Sequence, residues 1–134
     1  EGGHLSLLYI DLDKFKQVND TLGHSMGDLL LQETAVRLTR CVRESDTVAR
    51  IGGDEFVILI QGTLSPEHAA RVAQKIDNAF HTPFSLQGHM LTIEPSIGIA
   101  CYPEHGSDER QLLDYADKAM YLAKQGKAQR RNYG

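Results

Sequence analysis

The stretch Ala49-Arg50-Ile51-Gly52-Gly53-Asp54-Glu55-Phe56-Val57-Ile58-Leu59-Ile60 sets two glycines and two acids between apolar runs. Thr47 to Ile51 and Glu55 to Ile60 read as strands. Gly52-Gly53-Asp54 between them reads as a hairpin bend, because glycine reaches the positive φ that tight turns need. A strand as apolar as Phe56 to Ile60 belongs in a core. Adjacent carboxylates at its bend are then the feature to be explained.

Upstream, Leu5-Ser6-Leu7-Leu8-Tyr9-Ile10-Asp11-Leu12-Asp13 reads as a strand, apolar on both faces until its end. Period two sets Asp11 and Asp13 on one face there, with Leu12 opposite. Lys14 to Val18 reads as a short helical turn and Asn19 to His24 as turn-rich. A long helix is expected from about Met26 to Val42, with Leu30, Ala35, Leu38 and Val42 near helical spacing.

Downstream, Ser65-Pro66-Glu67 opens a helix with a capping hydroxyl, a first-position proline and a first-turn acid. Ala69, Val72, Ala73, Ile76, Ala79 and Phe80 form its stripe, and Pro83 stops it. Phe84-Ser85-Leu86 and Met90 to Cys101 read as strands around a Gln87-Gly88-His89 turn. Asp108-Glu109 opens a last helix, with Leu112, Ala116, Ala119, Met120 and Ala123 on one face and Gly126 as its expected C-cap. The order β-α-β-β-α-β-β-α predicts an α/β (α+β) sandwich. Its sheet is mostly antiparallel and flanked by helices, in preference to a doubly wound parallel sheet.

In a split β-α-β arrangement the first strand lies beside the hairpin, bringing Asp54 and Glu55 close to Asp11. Two like charges about 4 Å apart repel by roughly 4 kcal/mol at an effective dielectric near 20. Such a cluster needs a cation, a proton or a basic partner, and hard oxygen ligands suit Mg²⁺. Lys14, Phe15 and Lys16 open a helical turn whose free N–H groups would suit phosphate. Asn19 and Asp28 are side chains of the kind that read a base edge, and an Asp carboxylate fits the N1/N2 edge of guanine. Taken singly, these are equally a solvated lysine pair, a turn asparagine and a helix-start acid.

At 134 residues, 41% hydrophobic and 24% charged, the chain reads as one globular domain over 1–134. A net charge of −4 argues against broad, charge-driven nucleic-acid binding. Cys41 and Cys101 form no metal-ligand pattern and read as free, buried thiols in a reducing compartment. No apolar run approaches bilayer length.

The motifs together resemble the GGDEF domain, the diguanylate cyclase domain of bacterial signalling. Gly52-Gly53-Asp54-Glu55-Phe56 matches its signature. Asp11-Leu12-Asp13-Lys14-Phe15-Lys16, Val18-Asn19-Asp20-Thr21-Leu22-Gly23-His24 and Gly27-Asp28 resemble its long first motif. Ser96-Ile97-Gly98-Ile99-Ala100 with Tyr102-Pro103 resembles its later strand, and Asp117 to Lys124 its last helix. The resemblance covers nearly the whole chain.

The resemblance implies a palm-like, ferredoxin-like fold that condenses two GTP into cyclic di-GMP and releases pyrophosphate. Asp11, the Leu12 carbonyl and Asp54 would hold Mg²⁺ (or Mn²⁺), and Asp54 or Glu55 would help activate the 3′-hydroxyl. Asn19 and Asp28 would recognise guanine, with His24 and Phe15 close to the nucleotide. Lys16 and Lys124 would neutralise phosphate charge. One domain binds one GTP, so catalysis implies a second GGDEF domain, most simply in a homodimer. Arg43-Glu44-Ser45-Asp46 matches the family's RxxD inhibitory site, where cyclic di-GMP binds as product and inhibitor.

The family's helix before the first strand is absent here and reads as truncated. The chain is read as part of a longer, multidomain protein with fused sensory or regulatory domains. The domain is expected to be cytoplasmic, whether or not the parent is membrane-anchored. In the last helix the glycine comes one residue early, Ala128 stands where a cation is expected, and Lys127 and Arg130 are its candidate substitutes. The alternative reading is a catalytically silent GGDEF domain that serves as a GTP or cyclic di-GMP binding module.

Overall fold

β1 (Leu5–Leu12) is apolar on both faces, and this places it in the middle of the sheet. The computed structural model describes residues 4–62 and 66–133. After β1 come α1 (Phe15–Leu22), α2 (His24–Arg40), β2 (Thr47–Gly52), β3 (Glu55–Gln61) and α3 (Pro66–Ala79). The short β4 (Phe84–Leu86) and β5 (His89–Leu91) precede β6 (Pro95–Tyr102) and α4 (Glu109–Tyr133).

Four strands form one sheet in the order β2-β3-β1-β6. Every neighbouring pair in it is antiparallel. The first strand thus lies beside the hairpin, as the split β-α-β reading requires, and the order is the ferredoxin-like one. Among the described residues β4 and β5 pair only with each other.

Strand alternation sorts the core into two layers. Leu8, Ile10 and Leu12, with Phe56, Ile58 and Ile60, pack beneath Leu30 and Leu38 of α2 and Ile76 of α3. Leu7, Val57 and Ala100 face Leu112 and Ala116 of α4. The odd positions of β1 therefore look toward α4. Asp11, and Asp13 just past the strand, share that parity, so helix α4 is the element above them.

The approach of α4 to the sheet depends on Gly98. A Cβ there would come within 2.0 Å of the Ala116 carbonyl oxygen and 2.3 Å of the Met120 nitrogen. Both obstacles are backbone. On the other side, Arg37 of α2 donates to the carbonyls of Ala79, Thr82 and Pro83, and its guanidinium lies 3.6 Å from the centre of the Phe84 ring. That side chain closes the C-terminus of α3 and seats β4.

Several boundaries differ from the sequence reading. The segment Met90 to Cys101 is two strands, because residues 92–94 leave the ladder and the Glu94 carbonyl accepts from the Asp13 N–H instead, at 2.8 Å. α1 continues to Leu22 rather than stopping near Val18. Gly126 is not a C-cap: α4 runs through it to Tyr133. A single helical glycine costs about 1 kcal/mol, and the ion pair Lys127 makes one residue later favours continuing the helix. The Ser65 cap lies outside the described residues, and so does the side chain of Arg130. Cys41 and Cys101 are both free and buried. Among the described residues no helix is long and apolar enough to cross a membrane.

Candidate active site

The signature bend is a two-residue turn, with Gly52 paired to Glu55 and a bulge between Arg50 and Gly52. Gly53 has φ 45°, a left-handed conformation in which glycine carries no steric cost. Arg50 Nε donates to the Gly53 carbonyl at 2.9 Å, and the Leu12 N–H donates to the Asp54 carbonyl at 3.2 Å. The bend is therefore fastened to the end of β1, where the register sets Asp11 opposite Glu55.

Asp54 is pushed up to a pKa of about 6, by burial first and then by the negative charge of Asp11. Hydrogen bonding between the two carboxyls raises it further. Among the described residues Asp11 Oδ1 is a buried oxygen with no hydrogen-bond partner. The other oxygen of Asp11 takes the Lys124 ammonium at 2.6 Å, and the same ammonium is 3.7 Å from Asp13 Oδ1. Burial pulls the pKa of Lys124 down, but its bond to Asp11 and the charges of Asp11, Asp13 and Asp54 outweigh this and raise it.

Asp13 is fully occupied. Ser96 Oγ lies 2.9 and 3.0 Å from its two oxygens, and Lys127 Nζ is 3.3 Å from Oδ2. Lys127 also donates to the Pro95 carbonyl. Glu55 accepts from the Tyr9 hydroxyl at 2.9 Å, and burial, with this bond, raises the pKa of Tyr9. Sequence reasoning left Asp13, Ser96 and Tyr9 without roles. The available signals were the period-two match of Asp13 to Asp11 and the i, i+3 spacing of Lys124 and Lys127.

Two carboxylates pressed together, one with an orphaned buried oxygen, are a donor set that fits a hard divalent cation. Among the described residues no three His, Cys, Asp or Glu side chains are grouped to hold a metal. A cation here would complete its shell from backbone carbonyl, water and phosphate oxygens, which suits Mg²⁺ better than an all-protein cage.

Beside the carboxylates the chain reverses through Lys14, which has φ 63°. A left-handed non-glycine residue costs about 1–2 kcal/mol and is held by its surroundings. Among the described residues no side chain caps the α1 N-terminus that follows. Lys16 is exposed on its first turn, while Phe15 is buried in the core. Asn19 lies against Gly27: a Cβ there would fall 1.8 Å from Asn19 Oδ1. Gly27 thus lets Asn19 reach the first turn of α2, next to Asp28, and His24 is exposed at that helix start. Asp28 opens on a groove of about 510 Å³ between α2 and the hairpin, lined also by Leu31, Val48, Arg50 and Phe56. The structure therefore gathers Asp11, Asp54, Glu55 and Lys124 at one strand end, with Asn19 and Asp28 on the adjoining helices.

Arg43 and Asp46 lie apart from this group and bind each other. Asp46 Oδ2 accepts from the Arg43 N–H at 2.9 Å, and Oδ1 takes the guanidinium at 3.2 Å. The guanidinium also donates to the Gln61 carbonyl at 2.9 Å. The Asp46 side chain is 2% exposed and that of Arg43 52%. A cavity of about 280 Å³ beside the pair is edged by His68, Arg71 and Lys75 of α3. Their i, i+3, i+7 spacing on α3 already sets these basic residues on one helix face; that this face meets Arg43 and Asp46 is visible only in the fold.

Residues 1–130 match the family described as "Diguanylate cyclase, GGDEF domain". The chain is similar to the bifunctional diguanylate cyclase/cyclic di-GMP phosphodiesterase MucR of Pseudomonas aeruginosa, at 48% identity over 119 residues, 89% of this chain and 17% of MucR. It is similar to diguanylate cyclase TpbB of the same organism, at 46% identity over 121 residues, 90% of this chain and 28% of TpbB. The chain thus spans well under a third of the length of either relative. The crystal structure of the TpbB GGDEF domain aligns with a TM-score of 0.90 at 44% identity, covering 92% of this chain and 78% of that one. The GGDEF domain of DgcB from Caulobacter crescentus, solved in complex with c-di-GMP, aligns at 0.84 and 27% identity over 93% of this chain and 74% of that one. Fold, motifs and relatives agree, and the chain belongs to the GGDEF family, the diguanylate cyclase domain.

Proposed function

We propose that residues 1–134 form one catalytic domain that condenses two GTP into cyclic di-GMP with release of pyrophosphate. The observation that carries this reading is the pairing of Asp54 with Asp11, which leaves a buried carboxylate oxygen unbonded and Asp54 at a pKa of about 6. Mg²⁺ or Mn²⁺, held by Asp11, the Leu12 carbonyl and Asp54, would stabilise charge on the phosphoryl oxygens and lower the pKa of the attacking 3′-hydroxyl.

The remaining work falls to the side chains. Asp28 accepts from the N1 and N2 groups of guanine, and Asn19, braced on Gly27, meets the same base, with His24 and Phe15 near the nucleotide. Lys16 and Lys124 balance triphosphate charge. Asp54 or Glu55 takes the hydroxyl proton, and the Tyr9 hydroxyl holds Glu55 in place at 2.9 Å. Each domain holds one GTP, so two copies must face each other for both bonds to form. Arg43 and Asp46 bind product: the guanidinium takes a phosphate or guanine acceptor, and the carboxylate takes guanine N–H groups. The parent protein would carry sensory or regulatory domains, with this domain on the cytoplasmic side.

The test is direct. The protein held as a dimer by a fused coiled coil is incubated with GTP and Mg²⁺, and cyclic di-GMP is sought by chromatography. Product that appears only with the metal supports the reading. A folded dimer that binds GTP and makes no product overturns it in favour of a silent binding module.

A further inference from the structure

Asp13 stands within reach of two ammonium groups and a hydroxyl, yet the mechanism just given does not use it. Its side chain is 7% exposed. Ser96 on β6 lies against both of its oxygens, Lys127 at 3.3 Å fills a further position, and Lys124 lies 3.7 Å away. A carboxylate so engaged has no oxygen to offer a metal without first losing a partner. Asp11 differs: one oxygen is orphaned, and the other holds only Lys124. Lys124 therefore has two anchors of unequal kind: Asp11, open to a cation that would compete with Lys124 for its charge, and Asp13, whose other partners are already in place.

Charge counting runs the same way. Asp11, Asp13 and ionised Asp54 carry three negative charges, and Lys124 and Lys127 carry two positive ones. Lys127 is spent on Asp13 and on the Pro95 carbonyl, and its side chain is 20% exposed against 42% for Lys124. It is a brace rather than a free cation. Lys124, more exposed and one turn earlier on the same helix face, is the group able to follow phosphate.

We propose that Asp13 is a positioning residue: clamped by Ser96 and Lys127, it holds Lys124 over the strand end so that Lys124 meets the triphosphate when Asp11 releases it. This role rests on the proposed GTP site. Lys127, by the same geometry, steadies the clamp and does not replace the missing phosphate cation.

The test is a double-mutant cycle read by calorimetry with a non-hydrolysable GTP analogue and Mg²⁺, on Asp13→Asn, Lys124→Gln and the double variant. Partners that orient a ligating group change affinity by about ten- to a hundredfold. Each single variant should weaken binding about tenfold, and the double variant no more than the weaker-binding single, because Asp13 acts through Lys124. Lys127→Gln should weaken it by less than Asp13→Asn does, by loosening the clamp, and Lys127→Arg should restore it. Additive losses in the double variant, or wild-type affinity in Asp13→Asn, would overturn the positioning role alone. If Asp13→Asn does not fold, Lys127→Gln decides: wild-type affinity there rejects the clamp. A wild-type protein that binds no analogue rejects the proposed function, and the positioning role with it.

Discussion

Two aspartates of this molecule sit beside basic side chains in opposite conditions. Asp46 is 2% exposed and satisfied by the backbone N–H and guanidinium of Arg43. Asp11 is also buried, yet one of its oxygens has no donor and a second carboxyl lies against it. Hydrogen bonding a buried charge offsets its desolvation penalty, and leaving it unbonded keeps that penalty in the folded state. The first site is at rest. The second stores repulsion that a cation would relieve, which is the expected mark of a site built for a ligand.

The comparison breaks most sharply at Asp54. Asp54→Ala should lower cyclic di-GMP formation by about a thousandfold or more, since it removes the proposed ligand of the charge-stabilising cation. The same change should leave the melting temperature unchanged or higher, because it relieves repulsion. Chromatographic assays and thermal melts check both halves. A large fall in stability would mean the pair is not repulsive.

Acidity probes the same feature. With a folded pKa near 6 against an ordinary 3.8, Asp54 keeps its proton across that interval. The folded state binds more protons than the unfolded one there, so Asp54's contribution to stability falls as pH rises through the window. Cation binding runs the other way. Affinity for Mg²⁺ with nucleotide should rise about tenfold per pH unit up to about 6 and level off above it. Calorimetric titrations between pH 4.5 and 7.5, limits set by that pKa, would show the bend, and a flat profile would reject it.

At the other aspartate the effects are smaller. Arg43→Ala should weaken cyclic di-GMP binding about tenfold and leave GTP turnover at low product unchanged. A titration with product on this variant that still gave wild-type affinity would remove the inhibitory role. Asp46→Ala should cost about 1 kcal/mol of stability by removing the bonds between its carboxylate and the Arg43 N–H and guanidinium.

The layout of the carboxylates was legible in the chain because it depends on period two and on a glycine turn. Alternation alone sets Asp11 and Asp13 on one face, and the order of elements puts β1 beside the hairpin. What the chain concealed lies in contacts between distant segments. The Glu94 carbonyl bonds Asp13 across more than eighty positions, and no local pattern announces that β6 must begin late to allow it. Gly126 carries a stop signal by propensity, but the pairing of Lys127 with Asp13 overrides it. Gly27 and Gly98 were visible as members of motifs. Their reason, a side-chain oxygen in one case and a helix backbone in the other, needed the packed structure.

On the proposed function Asp11 and Asp54 together bind a divalent cation. Mn²⁺ titrated into the protein with a non-hydrolysable GTP analogue, followed by electron paramagnetic resonance, tests it most directly. Bound Mn²⁺ is expected in the wild-type protein and its loss in both Asp11→Asn and Asp54→Asn, with Asp46→Asn binding as wild type. Equal Mn²⁺ binding in all four proteins would contradict it.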